Sequence, residues 1–130
     1  MFCTAGEKIK MEKQKRVMIA DDDPGILDAV SILLEFEGYE VTAIPNGAEL
    51  FTIQKELPDL LLLDIWMSGN DGRDICKHLK QQASTSKLPI VLISASKDIE
   101  RSAMEAGADD FLAKPFEIND LLKKIEKFIN

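Results

Sequence analysis

Four short apolar runs in the chain each stop on residues that can do chemistry. Asp21, Asp22 and Asp23 follow Arg16–Ala20, and Asp64 follows Leu60–Leu63. Ser94, Ala95 and Ser96 follow Pro89–Ile93, and Lys114, with Pro115 behind it, follows Asp110–Ala113. Carboxylates gathered in one place repel, and ionising them is costly unless a cation joins them. Oxygen ligands without His or Cys favour Mg2+ or a similar hard divalent ion, which keeps open positions for phosphate oxygens. An ionised Asp beside such an ion can act as a nucleophile and become an aspartyl phosphate, with the metal offsetting charge on the transferring group. Lys114 and the Ser94 hydroxyl then suit the remaining phosphate oxygens. Each residue alone also has a plainer reading. Asp23 suits a helix cap, Asp21 and Asp22 a solvated loop, Asp64 a turn, Ser94 a cap on the next helix, and Lys114 a surface charge. Their joint placement after separate strand-like runs favours the chemistry.

Bringing these residues together requires parallel strands, and the pattern supplies them. Arg16–Ala20 is short, apolar and β-prone. Ile26, Ala29, Val30, Leu33 and Leu34 then line one helix face, with Asp23 at the N-cap, Pro24 at the first helical position and Gly38 as the C-terminal stop. Tyr39–Ile44 reads as a second strand. After Asn46-Gly47, Ala48–Lys55 reads as a short helix that Pro58 ends. Leu60–Leu63 is apolar on both faces, as expected for a parallel strand covered by helices. Ser68–Gly72 is a loop by composition. Ile75, Cys76 and Leu79 mark a helix, Pro89–Ile93 a fourth strand, and Ile99, Ala103, Met104 and Ala106 a helix stopped by Gly107. Asp110–Ala113 is a weaker fifth strand, and Ile118, Leu121, Leu122, Ile125, Phe128 and Ile129 form a last amphipathic helix. Five strands alternating with five helices imply an α/β fold with a parallel sheet. Ligands in such a sheet bind outside the carboxyl ends of the strands.

Composition bounds the function. The 130 residues are 45% hydrophobic and 30% charged, with 7 Gly and 5 Pro, which suits one packed domain and not a disordered chain. Apolar runs such as Leu60–Leu63 are far too short to cross a bilayer, and Met1–Met11 is too polar for a signal peptide. Cys3 and Cys76 match no metal-ligand or redox spacing, so a reducing, cytoplasmic location is expected. The net charge of −7 is uneven. Residues 1–15 form a basic tail, expected to be solvated and partly disordered, ahead of a strongly acidic domain at 16–130, which is a poor electrostatic match for nucleic acid. The chain has no G-x-x-x-x-G-K or G-x-G-x-x-G loop, and Ser94 lacks a G-x-S-x-G setting. His78 reads as a surface residue and Cys76 as a core residue.

These residues together resemble the receiver domain of two-component response regulators, over residues 16 to about 130. The matching pieces are Val17–Pro24, Leu62–Met67 with Asp71-Gly72, Ile93–Ala95, and Ala106–Phe116. Each piece is weak, but the four in this order and spacing are highly specific. The resemblance implies a flavodoxin-like (βα)5 doubly wound fold with strand order 2-1-3-4-5. It implies that Asp64 is the phosphoryl acceptor, that Asp21, Asp22, Asp64 and the Trp66 backbone carbonyl hold Mg2+ (or Mn2+), and that Lys114 contacts the phosphoryl group. It makes Ser94 the switch hydroxyl and Phe111 the switch aromatic, and it implies a cis bond between Lys114 and Pro115. The donor would be a sensor histidine kinase or a histidine phosphotransfer protein. The switched surface would be the last two helices and the strand between them, read by an unknown downstream protein.

Two positions depart from the family's usual pattern. Ser68 stands where the family usually has Pro, which loosens the loop carrying Asp64 and Trp66. Trp66 is large for a place beside the acceptor and is expected to shield the acyl phosphate from water. The alternatives are a phosphorylation-independent adaptor with the same fold and a Mg2+-dependent phosphatase with an Asp nucleophile. The latter is disfavoured because Trp66 sits where such enzymes place a second acid. No output domain is visible in the sequence, so a phosphorelay or a protein partner is the expected route for the signal. The pattern admits a weak homodimer through the last two helices.

Overall fold

A computed structural model describes residues 14–53, 56–67 and 69–129. Most of the expected basic tail, the last two residues of the expected helix at 48–55, and Ser68 lie outside the described residues. Five parallel strands form one sheet: β1 (Arg16–Ala20), β2 (Glu40–Ile44), β3 (Leu60–Asp64), β4 (Ile90–Ser94) and β5 (Asp110–Ala113). Their order is β2-β1-β3-β4-β5. Four α-helices are described, α1 (Pro24–Phe36), α2 (Gly72–Gln81), α3 (Ile99–Ala106) and α4 (Ile118–Ile129).

The helices divide between the two faces of the sheet. Val17, Ile19, Leu60, Leu62, Val91 and Ile93 pack with Leu27, Val30 and Leu34 of α1 and with Leu121 and Ile125 of α4. Met18, Leu61, Leu63, Ile90 and Leu92 pack on the other face with Ile75, Cys76 and Leu79 of α2 and with Ile99, Ala103 and Ala106 of α3. Successive residues of a strand point to opposite faces, so Leu60–Leu63 fill both cores and all four are fully buried. That explains the lack of polar alternation in this run.

Local chemistry sets the element ends near the site. Asp23 caps α1 by accepting from the Gly25 and Ile26 N–H groups at 2.9 and 3.4 Å, and Pro24 opens the helix. Gly107 ends α3 at φ +82°, a conformation that L side chains resist. Lys80 and Asp109 tie the opposite rim. The Lys80 Nζ donates to the Leu88 carbonyl at 2.8 Å and to Asp109 Oδ2 at 2.7 Å, and Asp109 Oδ2 also accepts from the Ile90 N–H at 2.8 Å.

Two expectations need correction. The short helix after Asn46 is a 3₁₀ helix, Gly47–Thr52, capped by Asn46 through the Ala48 N–H at 2.9 Å. Six residues are too few to make up the cost of starting an α-helix. Within the loop expected at 68–72, Asn70–Asp71 pairs antiparallel with Trp66–Met67 just before it, and α2 begins at once at Gly72. A ladder two residues long has no periodicity for a sequence to display.

Candidate functional site

The strand order decides which residues meet. Asp21 is the first residue after β1, Asp64 the last of β3, Ser94 the last of β4 and Lys114 the first after β5. These four strands are consecutive neighbours, so their carboxyl ends form one continuous rim. Asp21, Asp22 and Asp64 each bring a carboxylate oxygen to within 4.8 Å of the others. Lys114 Nζ lies 3.2 Å from Asp21 Oδ2 and 3.2 Å from Asp64 Oδ1. Asp21 and Asp64 are only 3% and 5% exposed, whereas Asp22 lies at the open side.

The backbone fixes the orientation of Asp21. Its N–H donates to the Ile44 carbonyl at 3.1 Å, and its Oδ1 accepts from the Asp23 N–H at 3.0 Å, leaving Oδ2 for Lys114. Asp23 itself is occupied as the cap of α1 and is not among the gathered carboxylates.

Charge in the site is unbalanced. Burial, with the nearby Asp21 carboxylate as the next cause, pushes the Asp64 carboxyl up to about 6, against the opposing pull of Lys114. Burial alone would lower Lys114, but Asp64 and Asp21 outweigh it and raise the ammonium above its ordinary value. Two buried carboxylates therefore share one ammonium, and this cluster with Asp22 at its open side suits a divalent cation. The donors are hard oxygens only, which fits Mg2+ or Mn2+. The Gly72 N–H donates to the Ile65 carbonyl at 2.8 Å, which makes Trp66 and Asp71 a non-hydrogen-bonded pair of their ladder. The Trp66 carbonyl is thus not used by that ladder.

Ser94 and Phe111 lie on one face of the sheet. Ser94 is 1% exposed, and its Oγ accepts from the Ser96 N–H at 3.0 Å, so it shapes the loop after β4 and does not cap α3. Phe111 pairs with Leu92, two residues before Ser94, and is partly buried against the core shared with α2 and α3. Lys124 of α4 places its Nζ 5.2 Å from the Phe111 ring centre. The Lys114 N–H donates to the Ser94 carbonyl at 2.9 Å, and the Lys114–Pro115 peptide bond is cis.

Of two residues beside the site, Gly72 figures in the sequence only as part of a matching motif, and Arg73 is not singled out there. A Cβ on Gly72 would lie 2.3 Å from the Asp64 carbonyl oxygen and 2.9 Å from Ile65 Cα, so only glycine lets α2 start against the end of β3. The signal was available as a glycine just inside a helix start, after the Asp71 cap. Arg73 lies with its guanidinium carbon 4.9 Å from the centre of the Trp66 ring, and no local pattern marks it. Trp66 is 58% exposed. His78 is exposed as expected, but it has a partner: its Nε2 lies 2.9 Å from the Phe51 carbonyl. Cys76 is fully buried, and burial pushes its thiol up to about 12, which leaves it inert.

With a doubly wound sheet and an acid cluster facing a lysine on its carboxyl rim, the geometry meets the comparisons with known proteins. The response regulator receiver domain model matches residues 17–126, and the chain belongs to that family. The DNA-binding dual master transcriptional regulator RpaA of Synechocystis is 34% identical over 117 residues, which cover 88% of this chain and 48% of that protein. The chain thus spans about half the length of that relative. A Chloroflexus aurantiacus structure described as a response regulator superimposes with a TM-score of 0.82 at 38% identity, covering 89% of this chain and 98% of that one. The response regulator TrrA of Thermotoga maritima, solved in complex with Mg2+-BeF, gives a TM-score of 0.79 at 28% identity, covering 89% and 100%. The chain is therefore a receiver domain of two-component signal transduction, a signalling domain with a flavodoxin-like fold. Among the described residues no helix is long and apolar enough to cross a membrane.

Proposed function

We propose that residues 16–130 act as a cytoplasmic phosphoacceptor switch, in which Asp64 takes a phosphoryl group from a phosphohistidine of a sensor histidine kinase or histidine phosphotransfer protein. Asp21, Asp22, Asp64 and the Trp66 carbonyl would hold Mg2+ (or Mn2+), which when bound offsets charge on the transferring phosphoryl oxygens. A carboxylate oxygen of Asp64 forms a bond to phosphorus as the P–N bond to the imidazole breaks and its electron pair stays on the nitrogen. Lys114, already shared between Asp21 and Asp64, turns to a phosphoryl oxygen as the Asp64 charge is consumed. Ser94 donates its hydroxyl to another phosphoryl oxygen. Phe111 then turns inward on the same face of the sheet, and the surface of α3, β5 and α4 changes for a downstream protein. The chemistry is confined to the domain's own phosphorylation and dephosphorylation.

The observation that carries this reading is the meeting of three carboxylates within 4.8 Å of one another, with Lys114 3.2 Å from two of them. Incubation with acetyl phosphate and Mg2+, followed by intact-mass measurement, tests it. One phosphoryl addition is expected in the wild type and none in Asp64→Asn or with EDTA. Equal addition to Asp64→Asn would overturn the assignment of the acceptor, and no addition to the wild type would leave the phosphorylation-independent adaptor as the better reading.

A further inference from the structure

Arg73, in the first turn of α2, makes contacts that the phosphoacceptor chemistry does not use. Its Nε lies 3.0 Å from Asp71 Oδ1 and its Nη2 2.7 Å from Asp71 Oδ2, a two-pronged grip on one carboxylate. Its backbone N–H donates to the same Oδ1 at 2.8 Å, so Asp71 also caps α2. The hydrogen bond from the Arg73 side chain is the main reason that the Asp71 carboxyl falls below its usual range. The guanidinium carbon is at the same time 4.9 Å from the Trp66 ring centre.

Trp66 and Asp71 face each other across the two-residue ladder. The guanidinium therefore closes a staple over that ladder, with an indole from one strand on one side and a carboxylate from the other strand beneath it. The ladder needs such a restraint. Two residue pairs hold little by themselves, and the residues between the strands, Ser68 and Gly69, include no proline to preset the turn. Trp66 lies two residues beyond Asp64, and its carbonyl lies outside the ladder's hydrogen bonds.

We propose that Arg73 is a positioning residue for the divalent cation, because its stack on Trp66 and its grip on Asp71 fix the segment that presents the Trp66 carbonyl. The inference rests on the reading that this carbonyl is a metal ligand. Arg73 acts through Trp66 and Asp71 and supplies no ligand of its own. A lysine there would keep the charge over the indole but lose the fork to Asp71.

Mn2+ titrations of the wild type, Arg73→Ala and Arg73→Lys, read from loss of the free Mn2+ electron paramagnetic resonance signal, test the proposal. Urea midpoints are measured on the same proteins. Arg73→Ala is expected to bind Mn2+ about three- to tenfold more weakly, with a proportionally smaller drop in the midpoint because the ion pair is half-buried at the surface. Arg73→Lys is expected to recover part of the affinity. Wild-type affinity in Arg73→Ala would overturn this inference and leave the proposed function standing. Weaker binding that follows an equal loss of fold stability, with no recovery in Arg73→Lys, would also overturn it. A wild type that binds no Mn2+ would overturn the proposed function and this inference with it.

Discussion

The charge on Asp64 is held at a cost in folding free energy. Its carboxyl is raised from 3.8 to about 6 by burial and by Asp21, so between about pH 4 and 6 the folded chain holds a proton there that the unfolded chain has released. Stability contributed by this group is present below about pH 4 and lost as pH rises through about 6. In EDTA at pH 7.5, Asp64→Asn should therefore be more stable than the wild type by about 1 to 3 kcal/mol, as measured by urea denaturation. The gap should vanish near pH 3.5, and saturating Mg2+ should narrow it at pH 7.5. Equal stability of the wild type and Asp64→Asn in EDTA at pH 7.5 would show that the charge is not strained. Trp66 invites a second test. If the indole shields the acyl phosphate, Trp66→Asn should release inorganic phosphate several-fold faster from the phosphorylated protein; equal release rates would remove that role.

The join between β3 and α2 is the tightest point near the site. Gly72→Ala would push a methyl group to 2.3 Å from the Asp64 carbonyl oxygen, a backbone atom that cannot yield without moving the acceptor. A loss of about 2 to 3 kcal/mol is expected, with slower phosphorylation by acetyl phosphate. Gly47→Ala is the control. Its Cβ would meet the ends of flexible side chains, Met67 Cε at 2.8 Å and Ile75 Cδ1 at 2.9 Å, so the cost should be smaller and the acceptor undisturbed. Equal effects of the two substitutions on phosphorylation would argue against the role given to Gly72. The same elements show what a sequence can disclose. Leu60–Leu63 and Ile90–Ile93 announce buried parallel strands because both of their faces must be apolar, and Asp23-Pro24 announces a helix start by capping chemistry. The ladder at Trp66–Asp71 and the 3₁₀ helix at Gly47–Thr52 are held by contacts distant in sequence, or are too short to carry a period. Gly72 was visible only as part of a motif, and Arg73 was hidden because its stack on Trp66 forms only once the ladder brings the two together.

Taken as a molecule, the domain separates support from chemistry. Two apolar cores grip the sheet from both sides, and the neighbouring strand ends β1, β3, β4 and β5 carry charge to one rim. That separation made the site legible early: polar residues that end buried strands have nowhere to go but the edge. Phe111 and the pairing of Asp110 with Lys124 at 2.9 Å and Lys127 at 2.8 Å connect β5 to α4. All of this depends on phosphorus reaching Asp64. Borohydride reduction of the protein freshly treated with acetyl phosphate and Mg2+ converts an acyl phosphate to an alcohol, and peptide mass mapping then locates it. The account predicts homoserine at position 64 and at no other aspartate, dependent on Mg2+. Reduction at another carboxylate, or none in a protein that has taken up phosphate, would contradict it.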